Sequence, residues 1–442
     1  MKQGHHAGRN RLKRIEATPI LGTIFLVQLA GLYVMDWWFH FEPGDYSIRF
    51  WPRIIRAAFV MQILVYSALH ARRIAKLRVA RIQFLWLGIL TVRFLFHGNF
   101  DSEVDMYMVN LAYWVLVLWT AYSLVVDGDL TARQVTIAGA VMTLVVVTRN
   151  ALFGFAGIWL GNKGEGWNYA DIVFNSAYPL LWFTLMQTVD TDVSLTGPIT
   201  LLGMVAIVLT MKRGAFVALL LAALAYGMTY AYINRRSRGI QRVAAVAGIL
   251  VVAIGVSVWL RGGEIAARWS EVDDPNNLGS GRGIFWLIIA QHWLSADVIT
   301  KFIGFGPHSV FEITGDQYLA AIPAHNDWLN MLHEFGIVGV LAFCLVCWVL
   351  VKSFSPVLRN FPKFAPLFCA ALSGALCTTL FDIFSSNSET SFFSLLIAVP
   401  LGMSARVRLG HARPLVPRKS VSKGQYVPSR RAAAQGSALP ES

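Results

Sequence analysis

Apolar runs long enough to cross a bilayer recur along this chain, and short polar or basic segments separate them. Crossing about 30 Å of hydrocarbon takes roughly 20 mainly apolar residues in a helix. The pattern therefore predicts an all-α fold, a polytopic transmembrane helical bundle of about twelve spans. The predicted spans are residues 19–37, 54–70, 83–98, 107–126, 134–148, 171–189, 196–211, 214–233, 242–260, 336–352, 364–384 and 389–405.

These spans divide the chain into five parts. They are a basic N-terminal segment (1–18), spans one to nine (19–260), one large loop (261–335), spans ten to twelve (336–405) and a basic tail (406–442). The tail is rich in Arg, Pro and Ser and lacks apolar periodicity, which favours disorder.

The composition agrees with an integral membrane protein. Hydrophobic residues make up 56% of the chain and charged residues only 14%, whereas soluble domains carry about 25% charged residues. The first apolar run follows basic residues, as in a signal peptide. It continues through Trp37 and Trp38 without a small-residue cleavage site, so we expect a retained anchor.

The net charge of +13 is distributed as in a membrane protein rather than a nucleic-acid-binding one. When the N-terminus is placed inside, 26 of the 38 Lys and Arg residues fall in inside segments, as the positive-inside rule expects. We therefore predict that both termini are cytoplasmic and that nucleic acid is not a partner. The loop 261–335 holds four basic and nine acidic residues and is predicted to lie outside.

The outer loop contains signals for short helices. Gly281-Arg282-Gly283 opens an apolar stretch in which Trp286 and Trp293 share one helical face. This pattern predicts an interfacial helix anchored by tryptophan. A turn is expected at residues 304–307, and a second short helix is expected to begin near Asn326 and run toward the tenth span.

Three polar features lie on the predicted outer face. Lys212-Arg213-Gly214 forms the tight hairpin between spans seven and eight, Arg282 follows a glycine-containing run, and His325-Asn326-Asp327 precedes the tenth span. Arginines bind diphosphates well, and an imidazole accepts protons near neutral pH. Each feature also has an ordinary structural interpretation, respectively a lipid-facing cation, a solvated loop residue and a helix cap.

The four cysteines all lie in apolar runs. Cys344 and Cys347 form a C-x-x-C motif, but a thiolate is unfavourable at lipid depth. We therefore predict that these side chains serve helix packing rather than redox chemistry.

Together the polar motifs resemble those of the O-antigen ligase and polysaccharide polymerase family of bacterial inner membranes. The matching marks are Lys212-Arg213-Gly214-Ala215, Gly281-Arg282 with Trp286, Gly304-Phe305-Gly306, and His325-Asn326 with Leu329 and Gly336-Ile337-Val338-Gly339. Lys212 departs from the pattern, because many relatives carry a small hydroxyl residue there.

The resemblance implies a periplasmic glycan transferase that takes a saccharide from undecaprenyl diphosphate. Its acceptor would be another glycan or the lipid A core, and the resemblance implies neither a metal nor another cofactor. The family's essential residues correspond to His325, Arg213 and Arg282. Lys212, Asn326, Asp327 and Trp286 are expected to bind substrate. Membrane lipids and polysaccharide-assembly proteins, such as a chain-length regulator, are expected partners.

Several alternatives stay open. A repeat-unit polymerase is slightly favoured over a ligase. A metal-dependent glycosyltransferase would use outer carboxylates such as Asp36, Glu42 and Asp45, which lack a tight acidic pair. A transporter or flippase would need ionisable residues deep in the spans; the spans contain few, and the main exception, Arg93, lies toward an outer end.

Overall fold

The computed structural model describes residues 20–39, 46–97, 102–153, 196–209, 213–233, 282–318, 324–381 and 391–410, with isolated positions between 244 and 263. Helices joined by turns make up these residues. The α-helices, in chain order, are α1 (Ile20–Phe39), α2 (Tyr46–Leu69), α3 (Ala71–Ile74), α4 (Arg78–His97), α5 (Ser102–Asp127), α6 (Ala132–Phe153), α7 (Thr196–Leu209), α8 (Arg213–Ile233), α9 (Arg282–Ser295), α10 (Val298–Ile303), α11 (Ser309–Tyr318), α12 (Asp327–Lys352), α13 (Phe354–Asn360), α14 (Ala365–Phe381) and α15 (Ser391–Arg408). A short 3-10 segment, Pro362–Phe364, precedes α14.

The observed helices agree with the predicted all-α membrane fold. Apart from the sixth and ninth, whose residues lie wholly or mostly outside the described part, each predicted span falls on an observed helix. Within the described residues, five helical segments are long and apolar enough to cross a membrane, namely Arg78–Phe96, Tyr107–Asp127, Gly214–Ile233, Asp327–Asn360 and Pro362–Leu380. The total of twelve spans stays a prediction.

Two helices form the centre of the bundle. The apolar segment of α5 is 83% buried and that of α14 is 72% buried, whereas those of α4 and α8 are 28% and 22% buried. Helix α5 packs along α2 and α15, α14 packs along α8 and α15, and α12 packs along α4. The peripheral helices expose large apolar side chains, such as Leu85 and Phe96 on α4 and Met228 on α8. Hydrocarbon can solvate such surfaces, so no protein partner is required for them.

Charged side chains gather at the end of the bundle where α5 finishes. Asp127 pairs with Arg73 at 2.5 Å and lies 3.4 Å from the Nε2 atom of His70. Tyr107, near the other end of α5, donates a hydrogen bond to Glu334. Twenty residues of helix separate Tyr107 from Asp127, which corresponds to about 30 Å. We call these two regions the Asp127 end and the Glu334 end.

Helix α12 is interrupted at Gly336, whose backbone angles are φ 63° and ψ −163°. Phe305 and Gly306 supply backbone N–H groups to the carbonyls of His333 and Glu334, at 2.9 and 3.0 Å. These bonds satisfy acceptors near the break. The predicted turn at residues 304–307 is therefore confirmed, and it packs directly against the break in α12.

Glycine is required on both sides of this contact. Gly304 has φ 79°, and a Cβ there would overlap the backbone of Glu334. A Cβ at Gly336 would overlap the backbone of Phe302. Because positive φ and close backbone approach are both tolerated by glycine, this pair allows the turn to lie against the break. We call it the Gly304–Gly336 contact.

Helix α10 leads into this turn and has a well-defined beginning. Asp297 caps it by accepting hydrogen bonds from the backbone N–H groups of Ile299 and Thr300. The Thr300 hydroxyl also donates to this carboxylate, and these bonds hold the pKa of Asp297 below its usual value.

Candidate functional site

The His325 turn lies immediately before α12. His325 has φ 49°, in the left-handed region that few residues other than glycine adopt. The residue before it is fixed on both sides: the Ala324 carbonyl accepts a 2.7 Å hydrogen bond from the Trp286 indole N–H. The Ala324 N–H donates to the Asn330 side-chain oxygen at 3.3 Å. The backbone entering His325 is therefore held by two separate helices, α9 and α12.

The residue after His325 is equally well fixed. Asn326 caps α12 by accepting hydrogen bonds from the backbone N–H groups of Trp328 and Leu329, at 3.0 and 3.1 Å. Its amide nitrogen donates to the Leu380 carbonyl at 3.1 Å. The predicted helix start at Asn326 is confirmed, and it connects the turn to the last residues of α14.

Arg282 and Trp286 lie on the helix that contacts the His325 turn. Helix α9 begins at Arg282, and Trp286 follows one turn later on the same face. Because Trp286 contacts Ala324, Arg282 lies one helical turn from that contact. A small apolar cluster formed by Ile289, Val310, Ile313 and Ala324 fixes α9 and α11 beside the turn.

Arg213 begins α8, and its side chain lies outside the described residues, as does Lys212. Helices α8 and α14 pack along each other, and Thr229 near the end of α8 contacts Cys369 near the start of α14. The two helices are therefore antiparallel. The beginning of α8 thus lies at the same end of the bundle as Leu380, which accepts the hydrogen bond from Asn326.

The predicted catalytic and substrate-binding residues differ in exposure. Asp327 is fully buried, whereas His325, Asn326, Arg282 and Trp286 are half-buried. The structure thus brings the His325 turn together with the helix that begins at Arg282. Their assigned chemical roles stay predictions. Of the carboxylates in the metal-dependent alternative, Glu42 and Asp45 lie outside the described residues.

Two further polar contacts connect the site to membrane helices. Arg93 on α4 donates a 2.8 Å hydrogen bond to the Gly304 carbonyl, at the end of α10. Tyr107 on α5 donates a 2.6 Å hydrogen bond to the fully buried Glu334. An arginine inside an apolar run is a visible sequence signal, but the partner of Arg93 was not predictable. The sequence around Glu334 did not indicate its buried hydrogen bond, because it shows only a single acidic residue just before a predicted span.

The arrangement combines a basic imidazole with permanent positive charge. His325 lies on a fixed, strained turn, and Arg282 lies one helical turn before Trp286, which contacts that turn. Such a site suits a reaction in which one group loses a proton while negative charge develops on another.

Comparison with known families gives one match. Residues 198–344 match a family model described as O-antigen ligase. The matched region runs from α7 into α12, so it includes Lys212, Arg213, Arg282, Trp286 and residues 325–327. No curated protein matches the chain.

Proposed function

We propose that this chain, in which residues 198–344 match a family model described as O-antigen ligase, joins a saccharide carried on undecaprenyl diphosphate to an acceptor sugar. The matched family implies membrane glycosyl transfer of the ligase or polymerase type. In our proposal the reaction takes place at the periplasmic face of a bacterial inner membrane, and both termini are cytoplasmic.

The left-handed His325 turn is the observation that carries this proposal. Non-glycine residues held in sparsely populated backbone regions cost about 1–3 kcal/mol each and cluster at functional sites. Here the neighbouring residues on both sides, Ala324 and Asn326, are fixed by hydrogen bonds from separate helices. A simple helix cap requires Asn326 alone and gives no reason for strain at His325.

The proposed step forms one bond and breaks another. The acceptor hydroxyl oxygen attacks the anomeric carbon, while the bond from that carbon to the diphosphate breaks and its electron pair leaves with the phosphate oxygen. His325 accepts the hydroxyl proton, and attack opposite the leaving group inverts the anomeric configuration. Arg213 and Arg282 bind the diphosphate and stabilise the charge that develops on it, with Lys212 adding a further cation.

Asn326, Asp327 and Trp286 are assigned positioning roles rather than direct contact with substrate. The polar atoms of Asn326 and Trp286 are already used in the turn, and Asp327 has no exposed surface. Their proposed task is to hold His325 within the narrow geometry that proton transfer requires.

Transfer by purified protein tests the function. The full chain is placed in liposomes with a lipid-diphosphate-linked saccharide and an acceptor, without any ion gradient. We expect transfer of the sugar to the acceptor; movement of the intact lipid-linked glycan across the bilayer without transfer would instead indicate a flippase.

Of the two activities, repeat-unit polymerase and ligase, we favour the polymerase, and gene deletion followed by gel analysis of surface glycans distinguishes them. If the protein is a polymerase, deletion should leave a single repeat attached to the core. Accumulation of long lipid-linked chains that are not attached to the core would contradict this choice and indicate a ligase.

A further inference from the structure

A chain of hydrogen bonds joins α9, α12 and α11 below the His325 turn. The Nδ1 atom of His292 lies 2.9 Å from the Nε2 atom of His333. The Nδ1 atom of His333 lies 3.0 Å from the Ser309 hydroxyl, which donates to the Gly306 carbonyl at 2.8 Å. Both His333 and Ser309 are buried.

The direction of this chain follows from its last member. The Ser309 hydroxyl has a single proton, which it donates to the Gly306 carbonyl, so it accepts from the Nδ1–H group of His333. Neutral His333 then has a lone pair on Nε2, which accepts from the Nδ1–H group of His292. Hydrogen-bond donation therefore runs in one direction, from α9 through α12 to α11.

Ring packing reinforces the same contact. Phe305 stacks on His292 and on His333, with centroid distances of 4.4 and 4.6 Å. Its backbone N–H group also donates to the His333 carbonyl. The imidazole pair is therefore packed against the turn that contacts the break in α12, which leaves little freedom for α9 to slide.

Two contacts consequently set the position of α9 against the His325 turn and α12. Trp286 bonds to Ala324 near the beginning of α9, and His292 bonds to His333 near its end. The buried Ile289 lies between them. Six residues separate Trp286 from His292, or about 9 Å along the helix. Two contacts at this spacing fix both the translation and the direction of α9, and with them the location of Arg282.

We propose that His292 and His333 are positioning residues for Arg282, and that they hold the beginning of its helix beside the His325 turn. This inference rests on the diphosphate-binding role proposed above for Arg282. Neither histidine contacts substrate in this account.

Two substitutions at position 292 separate positioning from proton transfer. Asparagine places an N–H donor close to the position of the imidazole Nδ1 but has no base, whereas leucine removes the donor. We expect His292→Leu to raise the apparent KM for the lipid-linked donor by about ten-fold, within the range that a misplaced binding group costs. The KM for the acceptor should not change. His292→Asn should restore most of the donor affinity.

The exposed neighbour Gln291 provides the matched control, and Gln291→Leu should leave both KM values unchanged. Loss of activity in His292→Asn equal to that in His292→Leu would overturn the positioning role. An unchanged donor KM in His292→Leu would also overturn it.

A double-mutant cycle tests whether the effect passes through Arg282. Arg282→Lys keeps the charge and is expected to leave measurable transfer. If the histidines act by placing Arg282, His292→Leu should cause at most a two-fold further change in the Arg282→Lys background. Independent effects that multiply would overturn the inference.

The cycle also separates this inference from the proposed function. Full activity of Arg282→Lys and of Arg282→Ala would remove the diphosphate-binding role itself. Impaired Arg282 variants with multiplying effects would leave that role in place and remove only the positioning by His292 and His333. Membrane abundance and gel filtration in detergent verify that each variant is folded.

Discussion

At the scale of single residues, the described part of the chain contains two non-glycine residues with positive φ, and both are histidines, His308 and His325. Histidine tolerates this conformation better than most residues. His308 stacks on Phe311 and meets the Tyr107 ring edge-on, at centroid distances of 4.4 and 5.9 Å. His325 instead lies between hydrogen-bonded neighbours, half-buried at the beginning of α12. The two strained positions therefore differ. His308 packs in a cluster of aromatic rings, whereas His325 is held through the hydrogen bonds of its neighbours Ala324 and Asn326.

The hydrogen bonds that hold the His325 turn give a prediction for Trp286. Trp286→Phe keeps the ring but removes the hydrogen bond to the Ala324 carbonyl, so the turn loses one of its supports. We expect the transfer rate to fall by about ten-fold, as small displacements of a reacting group can cause. The measurement is the initial rate of transfer by purified protein at saturating donor.

Trp293 on the same helix provides the matched control. Its indole nitrogen is buried without a hydrogen-bond partner, so Trp293→Phe removes no such bond and should keep the rate within two-fold of wild type. Equal rates for the two variants would show that the bond to Ala324 does not support the site.

At the scale of helices, the Gly304–Gly336 contact determines how the turn meets the break in α12. Gly336→Ala introduces a side chain at φ 63° and against the backbone of Phe302. We expect the free energy of unfolding to fall by about 2 kcal/mol or more, because strained φ and steric overlap both act. Thermal unfolding in detergent measures this change.

Gly88 on α4 is the corresponding control, because no neighbouring atom lies within 4 Å of the position a Cβ would take. Alanine is favoured over glycine inside a helix by roughly 1 kcal/mol, so Gly88→Ala should be neutral or stabilising. Equal melting temperatures for Gly336→Ala and the wild-type protein would show that the Gly304–Gly336 contact does not require glycine at position 336.

The same helices show how much the sequence could predict. The spans followed from apolar length, since the hydrocarbon thickness sets it, and the start of α12 followed from the capping preference of Asn326. A short helix from Asn326 and a separate span from Gly336 were also predicted, and the non-helical backbone at Gly336 divides α12 into these two parts. The partners at the break were less accessible. The hydrogen bonds at the break come from Phe305 and Gly306, and helical periodicity carries no information about such distant pairs.

The polar chain of His292, His333 and Ser309 was not predictable for a related reason. Each is a single polar residue in a different segment, and no local pattern connects them. Arg213, Arg282 and His325 were identified only through the order of several short motifs along the chain. That α8 and α9 begin at the same end of the bundle as the His325 turn depends on how α8, α9 and α14 pack.

At the scale of the whole molecule, polar side chains gather at both ends of the bundle. The Asp127 end contains the Arg73–Asp127 pair, and the opposite end contains the His325 turn and the start of α8. In our proposal the Asp127 end faces the cytoplasm, as the positive-inside rule favours. The lipid-linked donor would therefore be used on the far side, after it has crossed the membrane.

Cysteine labelling tests this orientation. In a background with the four native cysteines replaced by alanine, Ser295→Cys on α9 should react with an impermeant maleimide in cells with a permeabilised outer membrane. Ala75→Cys after α3 should react only when the inner membrane is opened as well. Both positions are exposed, so the reverse pattern of labelling would contradict the orientation.

The central claim is that the His325 imidazole accepts the acceptor's proton on a preformed turn. His325→Asn tests it most directly, because asparagine also tolerates positive φ but cannot act as a base at neutral pH. His308→Asn is the matched control at the other left-handed histidine. Transfer in liposomes should be lost in His325→Asn and retained in His308→Asn, with both proteins folded and present in equal amounts. Wild-type transfer by His325→Asn would contradict the account.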